Sequence, residues 1–261
     1  NLIAYSFVNH LEILSITSLI GTYGFNLFCI SLFVSPSIFI LRETKKDLGV
    51  CVVFLILPFL FYLYGSFYKK TFNSSDFVNY DYKVRAIGSN ISLDRFYKNI
   101  DPVSVINELI DISQPIKEDK TIFIWPEGIL PDVSQEELVK FKWLFDETFS
   151  KNHLLFIGIN SLETKKEKIN YFNSLSIYDH NLEILNSYNK INLVPFGEFL
   201  PFESILKSFG LSVITNNYQS FSKGNNRKII ELKIGDFSLK ILPLICYEII
   251  YSGKIFKNPG F

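Results

Sequence analysis

Residues 240–251 read KILPLICYEIIY: an apolar run with β-branched residues reaches a single cysteine, Cys246, and a carboxylate, Glu248, follows two positions later. The pattern predicts a buried strand that ends at Cys246 and holds the sulfur at the rim of a sheet. A thiol in that position becomes a nucleophile only with help. A neighbouring base must take its proton, or a positive charge must lower its pKa. The fold is therefore decided by whether other segments bring such groups to the same rim.

Working back from Cys246, residues 228–248 read as a hairpin that turns at Ile234, Gly235 and Asp236. Residues 168–179 and 182–193 form a second hairpin pattern around Asp179, His180 and Asn181. Between them, 194–206 reads as a loop leading into a short helix. Residues 153–160 are a continuous apolar strand, 120–128 a β-rich run stopped by Pro126 and Gly128, and 83–91 an alternating strand. Two helices are predicted. One covers 99–114, with Asp101 as N-cap and Pro102 at the first helical position. The other covers 134–151, with a Ser134–Glu137 capping box and an inner stripe of Leu138, Phe141, Leu144, Phe145 and Phe149. Strands alternate with helices early and pair as hairpins later, which predicts a mixed sheet packed against helices.

The N-terminal part is different in kind. Residues 1–70 carry only eight charged side chains: Glu12, Arg42, Glu43, Lys45, Lys46, Asp47, Lys69 and Lys70. Two uncharged apolar runs, about 13–41 and 48–68, are long enough to cross a bilayer core, which needs about 20 residues. The competing reading is a pair of buried core helices, but core helices rarely lack a polar face over such a length. Residues 1–70 are thus expected to be a membrane segment with two transmembrane helices, 71–82 a linker, and 83–261 a folded domain. The short basic connector Arg42–Asp47 is expected on the cytoplasmic side, which places the domain across the membrane. Zero net charge gives no reason to expect a nucleic-acid partner. The three histidines are scattered and no metal-ligand cluster is present in the sequence, so neither a metal nor a cofactor is expected.

Two further residues stand at strand ends beside turn formers. Glu127 closes the 120–128 run, and Lys190 closes the second strand of the 168–193 hairpin. An acid, a lysine and a cysteine at one rim make a chemically complete set of base, oxyanion stabiliser and nucleophile, in which the ammonium also lowers the thiol pKa. Each also has a plain reading: a turn carboxylate, a solvated lysine and a core cysteine.

The ordered motifs WPEG (125–128), NKINLVPFGEFLPF (189–202) and LICYE (244–248) resemble the nitrilase, or carbon–nitrogen hydrolase, superfamily. The second motif is similar to the apolipoprotein N-acyltransferase branch of that superfamily. The resemblance implies a nitrilase-like α-β-β-α sandwich, incomplete here, behind two transmembrane helices. It implies that Glu127 is the base, Lys190 the lysine and Cys246 the nucleophile, with Glu198, Tyr247 and Glu248 as supporting residues. It also implies a bacterial inner-membrane enzyme with its catalytic domain on the periplasmic side. That enzyme takes an acyl chain from phospholipid as a Cys246 thioester. It then passes the chain to the α-amine of a diacylglyceryl-cysteine apolipoprotein.

The family pattern continues beyond both ends of this sequence. That leads to the expectation of a fragment, from a split gene or a partial gene model, with little turnover by the 261 residues alone. Two alternatives stand beside the acyltransferase: an inactive membrane-bound remnant, and a membrane-tethered amidase of the nitrilase type acting on small soluble amides.

Overall fold

The computed structural model describes residues 2–75, 79–91, 100–165, 168–202 and 220–250. It divides into two compact units, Asn1–Asn79 and Tyr80–Phe261.

The first unit is helical: α1 (Leu11–Leu14), α2 (Thr17–Val34), α3 (Ile38–Leu41) and α4 (Lys45–Asn73). A 3₁₀ turn at Ser35–Ser37 joins α2 to α3, giving one 25-residue apolar helix, Thr17–Leu41; α4 has 29 residues. Both are long and apolar enough to cross a membrane, and only 22% and 11% of their most apolar windows are buried. The core helix of a soluble protein would hide that surface, whereas here Leu27, Ile40, Phe59 and Phe67 all lie exposed. α2 is kinked at Gly21, whose φ of 71° only glycine adopts freely. α4 starts sharply because Asp47 accepts the Thr44 N–H at 2.8 Å, one half of a complete capping box. Within the unit, Phe25, Phe28 and Cys29 pack with Phe54 and Phe61.

The second unit is built on a five-stranded sheet in sequence order: β1 (Lys83–Ala86), β2 (Thr121–Trp125), β3 (His153–Lys165), β4 (Lys168–Tyr178) and β5 (Ile184–Asn189). β1, β2 and β3 run parallel; β3, β4 and β5 are antiparallel. The β4–β5 turn is held by Asp179 Oδ1, which accepts the Asn181 and Glu183 N–H groups at 2.9 Å each. On one face lies α5 (Pro102–Ser113), begun by Asp101 accepting the Val103 N–H and by Pro102. Val105, Ile106, Leu109 and Ile110 of α5 pack on Phe123, Trp125, Leu155 and Ile157. The other face is covered by the hairpin β6 (Ile230–Ile234) and β7 (Phe237–Ile241), with Gly235 at φ 51° in its turn. Leu232, Phe237 and Leu239 bury Ile122, Leu154, Phe156 and Ile177. Cover on both faces explains why 120–125 and 153–159 read as continuous apolar runs. Each fully buried large side chain there contributes about 1.5–3 kcal/mol.

Three expectations change. The 134–151 helix is not one helix: the described structure is a 3₁₀ turn, Leu138–Phe141, followed by a single helical turn, α6 (Lys142–Phe145). Ser134 bridges to Asn160 and the Gln135 N–H donates to the Asn160 carbonyl at 2.7 Å, so the start of the segment is drawn onto the sheet. Glu137 accepts the Ser134 N–H at 3.3 Å, but Ser134 Oγ is buried without a partner, leaving half a capping box. The apolar stripe still works, since Leu138, Phe145 and Phe149 are buried. Secondly, the strand expected to run to Cys246 ends at Ile241, before Pro243, which has no N–H for a ladder; Cys246 opens a 3₁₀ turn, Cys246–Ile250. Thirdly, the 83–91 strand is confined to β1, Lys83–Ala86. The short helix expected after Phe202 lies outside the described residues.

Candidate active site

Glu127 follows β2 directly. Trp125 anchors the end of that strand, fully buried and donating from Nε1 to Ser113 Oγ at 3.0 Å. The backbone then turns through Gly128 at φ 60°. Next door on β3, Gly158 leaves room for it: a Cβ there would lie 2.5 Å from Glu127 Cα. Lys190 follows β5 directly, where its N–H donates to the Asn173 carbonyl and its carbonyl accepts the Gly224 N–H, each at 2.9 Å.

These strand ends meet. Lys190 Nζ donates to Glu127 Oε1 at 3.1 Å and to Glu198 Oε1 at 2.8 Å, with the Lys190 side chain 1% exposed. A buried ammonium is costly unless paired. Burial pulls its pKa down, but the hydrogen bonds and charges of Glu198 and Glu127 outweigh burial and raise it, so the lysine stays charged. Glu198 is fixed from below by the Val194 N–H, which donates to Oε2 at 2.8 Å.

Cys246 remains accessible and adopts φ 47°, the left-handed region that a β-carbon disfavours. Holding a non-glycine residue there costs on the order of 1–3 kcal/mol, and such strain concentrates where a side chain must be presented in one direction. The thiol pKa is pushed up, first by partial burial and then by the charge of Glu127 and a hydrogen bond to it; Lys190 pulls the other way without prevailing. Lys190 therefore does not win the thiol pKa, as the sequence suggested it would. The resting sulfur is a thiol, with the Glu127 carboxylate beside it.

Glu248 is fully buried and does not join this cluster. It accepts the N–H groups of Ile191, Asn192 and Ile245 at 3.0 Å each, the Tyr188 hydroxyl at 2.9 Å and Arg227 Nη2 at 2.7 Å. Burial raises its pKa, but the backbone donors at Asn192, Ile245 and Ile191 outweigh it and hold the carboxyl below its ordinary value. The same surroundings push the Tyr188 hydroxyl up to about 12, chiefly through burial. Glu248 thus ties the turn bearing Cys246 to the loop leaving Lys190. Tyr247 is exposed beside the cysteine.

Glu127, Lys190, Glu198 and Cys246 are brought together; Glu248 stands behind them as a clamp. Sequence reading did not find Asn173, whose amide donates to Glu127 Oε1 at 2.6 Å and also to Glu198 Oε1. Nor did it find Arg227 and Tyr188. An isolated asparagine or tyrosine in a strand gives no motif, and only the β4–β5 register puts Asn173 next to Lys190.

A buried lysine held between two carboxylates beside an accessible cysteine, on a mixed sheet covered on both faces, is the frame against which known proteins compare. Residues 107–258 match the carbon–nitrogen hydrolase family, and the chain belongs to it. Several relatives are named apolipoprotein N-acyltransferase. That of Wigglesworthia glossinidia brevipalpis is 35% identical over 185 residues, 67% of this chain and 34% of its own length. Those of Rhodopseudomonas palustris and Bradyrhizobium diazoefficiens are each 26% identical, over 98% and 100% of this chain and 49% and 50% of theirs. The chain spans half or less of the length of these relatives. Among solved structures, an amidase from Nesterenkonia is similar with a TM-score of 0.30 at 15% identity, covering 64% of this chain and 55% of that one.

Proposed function

We propose that this chain carries the catalytic site of an N-acyltransferase of lipoproteins, as its relatives are named, and that the site moves an acyl chain from a phospholipid to the N-terminal amine of a diacylglyceryl-cysteine lipoprotein through a thioester on Cys246. The observation that carries the reading is the convergence of Glu127, Lys190 and Glu198 on the accessible Cys246. Its attachment to two long helices with exposed apolar faces favours lipid substrates over small soluble amides.

In the first half-reaction Glu127 takes the proton of Cys246 as the sulfur attacks the ester carbonyl. Because the thiol starts neutral, proton removal and attack belong to one step. Two N–H groups of Lys190 are held by Glu127 and Glu198, which leaves the third to donate to the oxygen on which charge develops. Collapse breaks the acyl C–O bond. The departing glycerol oxygen receives the proton from Glu127, and a lysophospholipid leaves. In the second half-reaction the lipoprotein amine attacks the thioester carbonyl and gives a proton to Glu127. The C–S bond breaks, and the sulfur recovers that proton as the amide forms.

Incubating membranes that carry the protein with phospholipid alone should leave a hydroxylamine-labile fatty acyl group on Cys246, read by mass spectrometry. Cys246→Ala abolishes it. Lys190→Ala slows its formation by about 10²–10³-fold, the usual cost of one lost oxyanion donor. An adduct that persists in Cys246→Ala, on any residue, refutes the proposal.

A further inference from the structure

Asn173 touches every charged member of the cluster. Its backbone carbonyl accepts the Lys190 N–H at 2.9 Å, and its Nδ2 donates at 2.6 Å to Glu127 Oε1 and also to Glu198 Oε1. The orientation of the amide is settled by chemistry: turned over, its oxygen would face two carboxylate oxygens with no proton between them. The residue is buried, 8% exposed, on β4 opposite Asn160 of β3. Two carboxylates share one ammonium here, so the cluster carries one excess negative charge and the two acids repel each other. A neutral donor with two protons is suited to such a place. It holds both oxygens without adding charge.

We propose that Asn173 is a positioning residue of the acyl-transfer site: it fixes the Glu127 carboxylate against both Lys190 and Cys246 while keeping Glu198 on the far side of the lysine. It touches no reacting atom and acts through Glu127. This rests on the reading of the site given above, but its test does not need acyl transfer to occur.

The test uses the thiol itself. Among the described residues, the charged groups around Cys246 are Glu127 and Lys190, with Glu198 paired to the same lysine and the Glu248–Arg227 pair behind the same turn. In the full chain with Cys29→Ala and Cys51→Ala, Cys246 is the remaining cysteine, and its alkylation by iodoacetamide is followed against pH. Glu127→Gln calibrates the assay: losing that carboxylate shifts the reactivity midpoint to lower pH. Asn173→Leu, similar in size and unable to donate, shifts it in the same direction. It raises the rate at pH 7.5 roughly three- to tenfold, the range of one lost hydrogen bond. Added to Glu127→Gln, it produces no further shift. Asn173→Ser, smaller and still polar, repeats the result should the leucine variant not fold. A midpoint that stays in place in the Asn173 variants while Glu127→Gln moves it overturns the proposal. So does an equal, additive shift in the Glu127→Gln background, or failure of both variants to give a native melt, which would make Asn173 a fold residue. Acyl transfer failing with this pattern intact would count against the substrate reading and leave the positioning role standing.

Discussion

Gly158→Ala adds one methyl group and removes no functional group, yet it should nearly silence the site. The new carbon would lie 2.5 Å from Glu127 Cα, 2.9 Å from Glu127 N and 2.9 Å from the Pro126 carbonyl oxygen. Carbon atoms in contact sit about 3.5–4.0 Å apart, so one backbone must retreat by about 1 Å. β3 is poorly placed to yield, because it is paired on both sides and its Leu155, Ile157 and Ile159 are buried in the core. The segment that moves is Pro126–Gly128, and with it the carboxylate that faces Cys246. A displacement of about 1 Å at a reacting group costs on the order of 10²-fold in rate. Overpacking of this kind costs about 1–3 kcal/mol in stability. The assay is the initial rate of Cys246 acylation, paired with a thermal melt. Gly88→Ala is the control, because nothing lies within 4 Å of the carbon it would add. The expected result is a loss of about two orders of magnitude with a folded protein, and no change in the control. A Gly158→Ala protein that acylates within twofold of the parent would refute the claim that this close approach sets the position of Glu127.

Glu248→Ala should destabilise the second unit by about 3–5 kcal/mol, the cost of leaving a buried charge unpaired, because Arg227 and three backbone N–H groups lose their acceptor. Buried Trp125 provides a fluorescence signal for the unfolding, and a loss below 1 kcal/mol would contradict the clamp. Since the folded Glu248 pKa is lowered, its contribution is complete above the unfolded value of 4.5 and disappears as pH falls through the lower folded value. The parent should therefore lose stability in that window, and Glu248→Gln should lose less of it. The basic connector between the two long helices is expected in the cytoplasm and the second unit across the membrane. A reporter active only in the cytoplasm, fused after Phe261, should be silent, and strong activity would reverse the orientation.

What could be read without coordinates follows from how local each signal is. Asp101–Pro102, the Gly235–Asp236 turn and the two uncharged runs are local, and each yielded its element. The 134–151 segment misled because its period of apolar residues was genuine while its backbone was claimed by Asn160, which is distant in sequence. Glu127, Lys190 and Cys246 were legible because each sits where an apolar run meets a turn former. Even so, the run before Cys246 concealed a break at Pro243, and the sulfur is presented by a left-handed turn and not by a strand end. That difference has a chemical consequence. The turn leaves the sulfur partly buried beside Glu127, and burial together with that carboxylate outweighs the lysine's pull. Nothing in the spacing of three motifs conveys which of two opposite charges stands nearer to the sulfur. Around the cluster stand Asn173, Gly158 and Glu248, three residues on separate segments. They bind or admit the segments that carry Glu127, Lys190 and Cys246, and look, one at a time, like an ordinary strand asparagine, a strand glycine and a spare acid.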